Sequence, residues 1–184
     1  MGDVFGRYIS GISGDYLFHS VPYYSMSEED LELEEFNKLG EQASQGCVRL
    51  AVSDAKWVYD NCLTGTNVSI YDDAENAGPL GKPDAIKITD FTNKWDPTDS
   101  NKKCPYAKAT PIISGANDYT IKSGGEFYAL AGVTAVDTCG NDITSNIEVF
   151  GNVITTRKGK YKVTYSVTDV LKRTSSVTIT VTVQ

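Results

Sequence analysis

The sequence changes character twice along its length, and this change constrains the fold more than any single motif does. Residues 74–110 are rich in Pro, Gly, Asn, Asp and Lys, which are residue types that favour turns and interrupt helices and strands. A chain of 184 residues is long enough to bury two small cores. We therefore predict two domains, residues 1–75 and 110–184, joined by a linker at residues 76–109.

The segment before the linker is mixed in pattern. Apolar runs typical of strands occur at residues 16–18 and 67–71. Between them, Ala55, Val58 and Cys62 recur at helical spacing, and Ser53 is a suitable N-cap. We predict one helix beginning near Ser53 and packed on a sheet.

The segment after the linker alternates apolar and polar residues. The clearest runs are residues 147–150, 161–167 and 177–183, and turn signals separate them. This pattern is typical of an all-β sandwich. The fold class predicted for the whole chain is therefore mainly β, with a partial sandwich and one helix followed by a second sandwich.

Charge and composition exclude several classes of function. The formal net charge is -7, which would repel phosphate backbones, so we expect no nucleic-acid partner. The chain has one histidine and four cysteines without close pairs, so we expect neither a metal site nor another cofactor. A basic region followed by an apolar one is not seen at the N-terminus, so no secretion signal is predicted from this sequence.

One cysteine stands in a setting that suits a nucleophile. Cys47 follows Gly46, precedes Arg49 by two positions and lies just ahead of the predicted helix. A cysteine is a nucleophile as its thiolate, and His19 could take its proton. A small neighbour would let backbone N–H groups approach a developing oxyanion. A single cysteine and a single histidine also fit a purely structural role, which these residues alone leave open.

The sequence around these residues resembles that of the L,D-transpeptidase catalytic domain, also called the YkuD domain. Its signature is a His followed downstream by Ser-His-Gly-Cys, a hydrophobic residue and often Arg. Here the corresponding stretches are His19-Ser20 and Ser44-Gln45-Gly46-Cys47-Val48-Arg49. The resemblance covers residues 5–73 and starts only a few residues before the histidine, so we expect only the C-terminal half of that domain.

The resemblance implies roles for seven residues. Cys47 would be the nucleophile, His19 the general base, and the backbone carbonyl of Ser20 the group that orients the imidazole. The substrate-binding residues that it implies are Ser44, Gln45, Gly46 and Arg49. Arg49 fits a structural salt bridge equally well.

The resemblance also implies an activity, partners and a location. The activity is cross-linking of peptidoglycan stem peptides by 3→3 bonds through a cysteine thioester, with carbapenems as inhibitors and an extracellular or cell-wall location. Water could resolve the same thioester, so a carboxypeptidase outcome stays open. The alternative from another class is a non-catalytic wall-binding or adhesion protein on a decayed catalytic fold.

Three departures from the family pattern bear on activity. Gln45 stands where the family has histidine, and the absent N-terminal half would leave apolar surface uncovered. We therefore expect self-association, and we expect this truncated chain to be inactive or far slower than the full domain. An acidic insertion at residues 25–36 lengthens the spacing between His19 and Cys47. We interpret it as a lid that is either a solvated face or a surface attracting amine-bearing acceptors.

The C-terminal segment resembles a bacterial Ig-like module, and such modules act as spacers or adhesion units. Asp137, Asp142 and Asp169 are more typical of turns than of a calcium site. A disulfide between Cys104 and Cys139 stays open, since an exported protein would permit it.

Overall fold

The computed structural model of the chain describes residues 4–71, 73, 75, 78 and 81–184. These residues form mainly β structure. The chain folds into two compact units, Met1–Lys108 and Ala109–Gln184. In the described ranges, the helices are all too short or too polar to cross a lipid bilayer.

A small mixed sheet forms the centre of the first unit. Strand β1 (Ser10–Ser13) pairs antiparallel with β2 (Tyr16–Ser20), and β2 pairs parallel with β3 (Val48–Leu50). Helix α1 (Leu33–Phe36) lies in the connection between β2 and β3, and α2 (Val52–Asn61) follows β3 at once. Helix α2 packs on β2 and β3, so this sheet and helix define the position of the residues between them.

The N-terminus of α2 is capped from a distant segment. We predicted Ser53 as the N-cap, and this was wrong, because the helix begins at Val52 and Ala51 occupies the cap position without a side-chain bond. The backbone N–H of Val52 instead donates to the Asp96 carboxylate at 2.9 Å, and that of Ser53 donates to the Thr98 hydroxyl at 3.0 Å. The open donors of the first helical turn are thus satisfied by residues that follow much later in the chain.

The acidic insertion is packed into the first unit. Leu31 and Phe36 are fully buried, and the backbone N–H of Leu31 donates to the carbonyl of Lys94 at 2.9 Å. The Asp30 carboxylate pairs with the Lys94 ammonium at 3.2 Å. The lid predicted at residues 25–36 is therefore anchored by core side chains and ion pairs, because its leucines and phenylalanine face inward.

Much of the segment predicted as a linker packs on the first unit. Ile88, Trp95 and Asp96 are buried, and the side-chain amide of Asn37 donates to the carbonyl of Ile88 at 2.8 Å and accepts its N–H at 2.7 Å. A short 3-10 helix, Pro105–Lys108, ends this unit. Residues 76, 77, 79 and 80 of the predicted linker lie outside the described residues.

The second unit contains six strands in two sheets. Strand β4 (Ile112–Ser114) pairs with β6 (Thr134–Val136). The larger sheet has the order β5-β9-β8-β7, with β5 at Tyr119–Ile121, β7 at Glu148–Phe150, β8 at Gly159–Thr168 and β9 at Thr174–Val183. Its core contains Val163, Tyr165, Val167, Ile179 and Val181. These residues alternate along β8 and β9, as expected of a sheet with one buried face.

Two aspartates of the second unit, Asp137 and Asp169, bind backbone groups, and its cysteine is buried. The Asp137 carboxylate accepts the backbone N–H groups of Cys139 and Asn141, both at 2.8 Å, and that of Asp169 accepts the N–H of Arg173 at 2.8 Å. Cys139 is buried as a thiol, and the same holds for Cys104 in the first unit.

Candidate active site

The only histidine of the chain is held by the carbonyl that follows it. His19 lies on β2, and its Nδ1 atom is 2.6 Å from the carbonyl oxygen of Ser20. A carbonyl oxygen only accepts hydrogen bonds, so Nδ1 carries the hydrogen and Nε2 keeps a lone pair. Gly6 lies beside the ring, and a Cβ there would lie 3.4 Å from Nδ1, at the distance of an ordinary van der Waals contact. The imidazole is thereby oriented to accept a proton at Nε2.

Strand register places His19 beside Arg49. The two residues are paired in the parallel β2–β3 ladder, and side chains of paired residues lie on the same face of a sheet. Cys47 comes two residues before Arg49 and directly before β3 begins. The register therefore places the segment of Cys47 next to β2, which carries His19, and the roles that the resemblance implied for these two residues stay predictions.

The loop before Cys47 is fixed by one serine. The Ser44 hydroxyl donates to the carbonyl of Cys47 at 2.5 Å and accepts the backbone N–H of Gly46 at 3.1 Å. Ser44 therefore stabilises the turn from inside. Gln45, at the tip of the turn, is exposed.

Gly46 is required by its backbone and by a neighbouring ring. Its φ is +138°, which L side chains rarely adopt, and a Cβ at this position would lie 2.3 Å from the ring of Tyr16. The ring of Tyr16 closes over the peptide that precedes Cys47. A side chain at residue 46 would displace either the ring or the loop.

Cys47 is half-buried and lines a cavity of about 270 Å³. Its Sγ atom lies 3.9 Å from the carbonyl oxygen of Asp15. The charged side chains that line this cavity are those of Glu35, Lys38, Glu41 and Arg49. Ser44 also lines the cavity, whereas His19, Ser20, Gln45 and Gly46 do not.

Arg49 forms an ion pair within the cavity wall. One guanidinium nitrogen binds the Glu35 carboxylate, and Lys38 binds the same carboxylate at 2.5 Å. These hydrogen bonds, first that of Lys38 and then that of Arg49, lower the pKa of Glu35. The Nε atom of Arg49 is buried and has no acceptor among the described residues. Arg49 therefore forms the salt bridge that the sequence left open as an alternative.

Sequence reasoning missed the network behind the histidine. The backbone N–H of Arg7 donates to the Ser20 hydroxyl at 2.9 Å, and that of Ser20 donates to the Arg7 carbonyl at 3.0 Å. The Arg7 guanidinium binds Asp99 at 2.6 Å and Glu28 at 2.9 Å. Arg7 and Asp99 lie 92 positions apart in the sequence, so no local pattern points to this network.

No cluster of metal-binding side chains is found among the described residues. No group of three His, Cys, Asp or Glu side chains gathers within residues 4–71, 73, 75, 78 and 81–184 in a way that could hold an ion.

Comparisons with known proteins match two separate segments of the chain. Residues 4–70 match the model of the L,D-transpeptidase catalytic domain, and residues 111–183 match that of the bacterial surface protein Ig-like domain. The protein named "Putative L,D-transpeptidase YciB" of Bacillus subtilis (strain 168) is 47% identical over 57 residues. That match covers 31% of this chain and 28% of the relative, so this chain spans less than a third of the relative's length.

Solved structures give weaker likenesses. The CBM51-2 and INT domains of Clostridium perfringens ZmpB, solved in complex with GlcNAc, are 29% identical with a TM-score of 0.37, over 40% of this chain and 16% of that one. The lipoprotein BT2262 of Bacteroides thetaiotaomicron is 22% identical with a TM-score of 0.34, over 40% and 37% of the two chains. The family matches are the firmer result: residues 4–70 are similar to the L,D-transpeptidase catalytic domain, and residues 111–183 are similar to the bacterial surface protein Ig-like domain.

Proposed function

We propose that the chain acts as a peptidoglycan L,D-transpeptidase with Cys47 as nucleophile and His19 as general base. The observation that carries this proposal is the 2.6 Å contact between His19 Nδ1 and the Ser20 carbonyl, which leaves Nε2 of the neutral ring as an acceptor on β2, the strand that pairs with the one directly after Cys47. The family match supports the same chemistry.

The proposed reaction has two acyl-transfer steps. Cys47 Sγ gives its proton to His19 Nε2 and attacks the carbonyl before the terminal D-alanine of a donor stem tetrapeptide. The C–N bond breaks, D-alanine leaves with the proton from His19, and a thioester remains. An amine of a second stem then attacks the thioester, loses a proton to His19 and forms a 3→3 cross-link, and the proton returns to the Cys47 sulfur.

Arg49 is the proposed binding group for a substrate carboxylate. A guanidinium binds carboxylates through paired N–H donors, and Arg49 lines the same cavity as Cys47. The Glu35 carboxylate, which Lys38 also binds, holds the guanidinium in the cavity wall. Ser44, Gly46 and Gln45 form the turn that presents the thiol, so their proposed contribution to substrate binding is the shape of this loop.

The same family supports two further proposals. We expect carbapenems to acylate Cys47, and we expect the chain to work outside the cell or at the wall, where its substrate and surface Ig-like modules are found. We also expect self-association, because Trp57, Leu63 and Ile70 are 62%, 80% and 75% exposed and exposed apolar surface favours association. Sedimentation equilibrium over a concentration series would measure it.

Product analysis tests the proposed reaction. The chain is incubated with a stem tetrapeptide, with and without a second stem as acceptor, and the products are identified by mass spectrometry. We expect release of D-alanine and a cross-linked dimer in the presence of acceptor, both lost in Cys47→Ala and His19→Ala and retained in Cys62→Ala. Release of D-alanine without any dimer would show a carboxypeptidase instead.

A non-catalytic role in wall binding is the second candidate. The observation that favours it is Gln45, which replaces the family's histidine beside the nucleophile and is exposed at the tip of the turn. Retention of the chain on purified peptidoglycan without release of D-alanine would support this role and contradict the transpeptidase.

The proposed division of labour gives chemistry to the first domain and display to the second. The Ig-like module has its own core around Tyr165, whose hydroxyl donates to the Ala129 carbonyl at 2.6 Å. We therefore expect residues 109–184 to fold alone, with a β-type circular dichroism spectrum and cooperative unfolding. A random-coil spectrum would contradict the division.

A further inference from the structure

Residues well beyond the segment that matches the catalytic domain are connected to the histidine by a continuous series of hydrogen bonds. The family match ends at residue 70, yet residues 95–101 belong to the same compact unit. Within this stretch Asp99 is buried, with its side chain 3% exposed, and it binds the Arg7 guanidinium at 2.6 Å. A buried carboxylate needs such a partner, because removing a charge from water is costly.

Asp99 is itself held in place by its own loop. Its backbone N–H donates to the Asp96 carbonyl at 3.0 Å, and its carboxylate accepts the backbone N–H of Asn101 at 2.9 Å. The side-chain amide of Asn101 binds Glu28, and Glu28 binds Arg7. Two carboxylates thus bind the guanidinium of Arg7 from two directions, and this restricts the movement of the side chain.

Arg7 in turn fixes Ser20. The two residues exchange bonds, from Arg7 N–H to the Ser20 hydroxyl and from Ser20 N–H to the Arg7 carbonyl. The Ser20 hydroxyl donates onward to the Val21 carbonyl at 2.9 Å, and Ser20 is fully buried. The orientation of the Ser20 peptide therefore depends on where Arg7 lies, and the carbonyl of this peptide is the group that binds His19.

We infer that Asp99 is a positioning residue for His19 and acts through Arg7 and Ser20. This inference rests on the proposed function, in which His19 takes the proton of Cys47. Asp99 touches neither the substrate nor the reacting atoms. Its contribution is to keep the imidazole in one orientation, and misplacement of a reacting group by about 1 Å can cost up to about 100-fold in rate.

The experiment follows Cys47 directly, because its alkylation needs no substrate. In a Cys62→Ala background, the second-order rate of alkylation by iodoacetamide is measured from pH 5 to 9 for the parent, Asp99→Ala, Asp99→Asn, Arg7→Lys and His19→Ala. We expect Asp99→Ala to slow alkylation at pH 7 by about tenfold, with a pH profile approaching that of His19→Ala. Asp99→Asn and Arg7→Lys should lie between, because each keeps part of the contact.

A matched control separates positioning from stability. Asp30→Ala removes a different ion pair of the first unit, between Asp30 and Lys94 at 3.2 Å, and leaves the contacts of Arg7 intact. Both alanine variants should lower the melting temperature, and only Asp99→Ala should change the pH profile. An unchanged profile in Asp99→Ala and Asp99→Asn would overturn the inference, as would an equal change in Asp30→Ala. If Asp99→Ala fails to fold, Asp99→Asn and Arg7→Lys decide.

Turnover of the stem tetrapeptide provides the second readout. If the proposed function holds, Asp99→Asn should lower kcat about threefold to tenfold and leave KM within about twofold, since the substrate contacts are intact. If no variant and no parent turns over the peptide, the proposed function fails, whereas the alkylation profile still tests the link from Asp99 to His19. A raised KM with unchanged kcat would contradict positioning of the base.

Discussion

The backbone N–H of Val52 donates to the carboxylate of Asp96 at 2.9 Å, although 44 residues separate the two. The other oxygen of this carboxylate accepts the N–H of Thr98 at 2.8 Å and its hydroxyl at 2.6 Å. Asp96 is fully buried, and burial raises its pKa while these hydrogen bonds act in the opposite direction. Residues 96–98 thereby cap α2, which directly follows β3, the strand after Cys47.

Replacement of Asp96 by alanine should destabilise the first unit strongly. Loss of an N-cap costs about 0.5–2 kcal/mol, and a buried donor left without a partner costs about 1–3 kcal/mol, so we expect a loss of about 2–4 kcal/mol. Both tryptophans, Trp57 and Trp95, lie in this unit, so tryptophan fluorescence in urea reports on it selectively.

The control for this variant is Asp84→Ala, which changes an exposed aspartate of the same segment. It should leave the urea midpoint of the fluorescence transition within experimental error. Equal midpoints for Asp96→Ala and Asp84→Ala would show that the contacts of Asp96 contribute nothing to the stability of the first unit.

Local signals predicted the fold better than they predicted these contacts. The strand pattern at residues 161–167 lies within the observed strand Gly159–Thr168, and the mainly β class is confirmed. Alternation along one strand is a local property, so it can be read from sequence. The cap of α2 was assigned to Ser53 because a serine near a helix start is the usual local signal. The real partner lies 44 residues away.

The same distinction applies to the candidate site. The motif around His19 and Cys47 led to both residues, and the register of β2 and β3 is consistent with their proximity; their catalytic roles stay predictions. The composition of residues 74–110 suggested a linker because Asp, Asn and Pro are turn formers. In this chain Asp96 and Asp99 use the same capacity to bind backbone and guanidinium donors of the first unit.

Gly46→Ala should impair the thiol loop for two separable reasons. The new Cβ would lie 2.3 Å from the Tyr16 ring, and the φ of +138° is unfavourable for alanine. We expect alkylation of Cys47 to change by several-fold and D-alanine release to fall at least tenfold. Tyr16→Ala combined with Gly46→Ala removes the collision and leaves the backbone strain, so it should recover part of the loss.

Gly11→Ala is the matched control for this pair. Gly11 lies on β1, and a Cβ there would meet no atom within 4 Å. Its alkylation rate should equal that of the unmodified chain. If Gly46→Ala behaves like Gly11→Ala, then the ring of Tyr16 does not constrain the loop before Cys47.

The four thiols should fall into two classes. Cys47 and Cys62 are half-buried, whereas Cys104 and Cys139 are buried, and burial raises the pKa of both buried thiols, that of Cys139 to about 12. We expect two equivalents of Ellman's reagent to react in the native chain at pH 8 and all four in urea. Rapid reaction of a third thiol in the native chain would contradict the burial of the pair.

The raised pKa of Cys139 also determines the effect of alkaline pH. Its pKa in the folded state exceeds the value of about 8.5 for an unfolded cysteine, so the protonated thiol stabilises the fold below about pH 8.5. This contribution is lost as the pH rises from about 8.5 towards 12. The melting temperature of the second unit should fall over that range, and less so in Cys139→Ala relative to its own value at pH 7.

Intact-mass spectrometry after incubation with a carbapenem tests the central claim most directly, because it detects the acyl-enzyme that the mechanism requires. We predict a single adduct with the mass of the carbapenem, mapped to Cys47 by peptide analysis, absent in Cys47→Ala and formed more slowly in His19→Ala. Cys62→Ala and Cys104→Ala should form it as the parent does. An adduct that persists in Cys47→Ala, or no adduct in the parent at millimolar carbapenem, would contradict the assignment of Cys47 as the catalytic nucleophile.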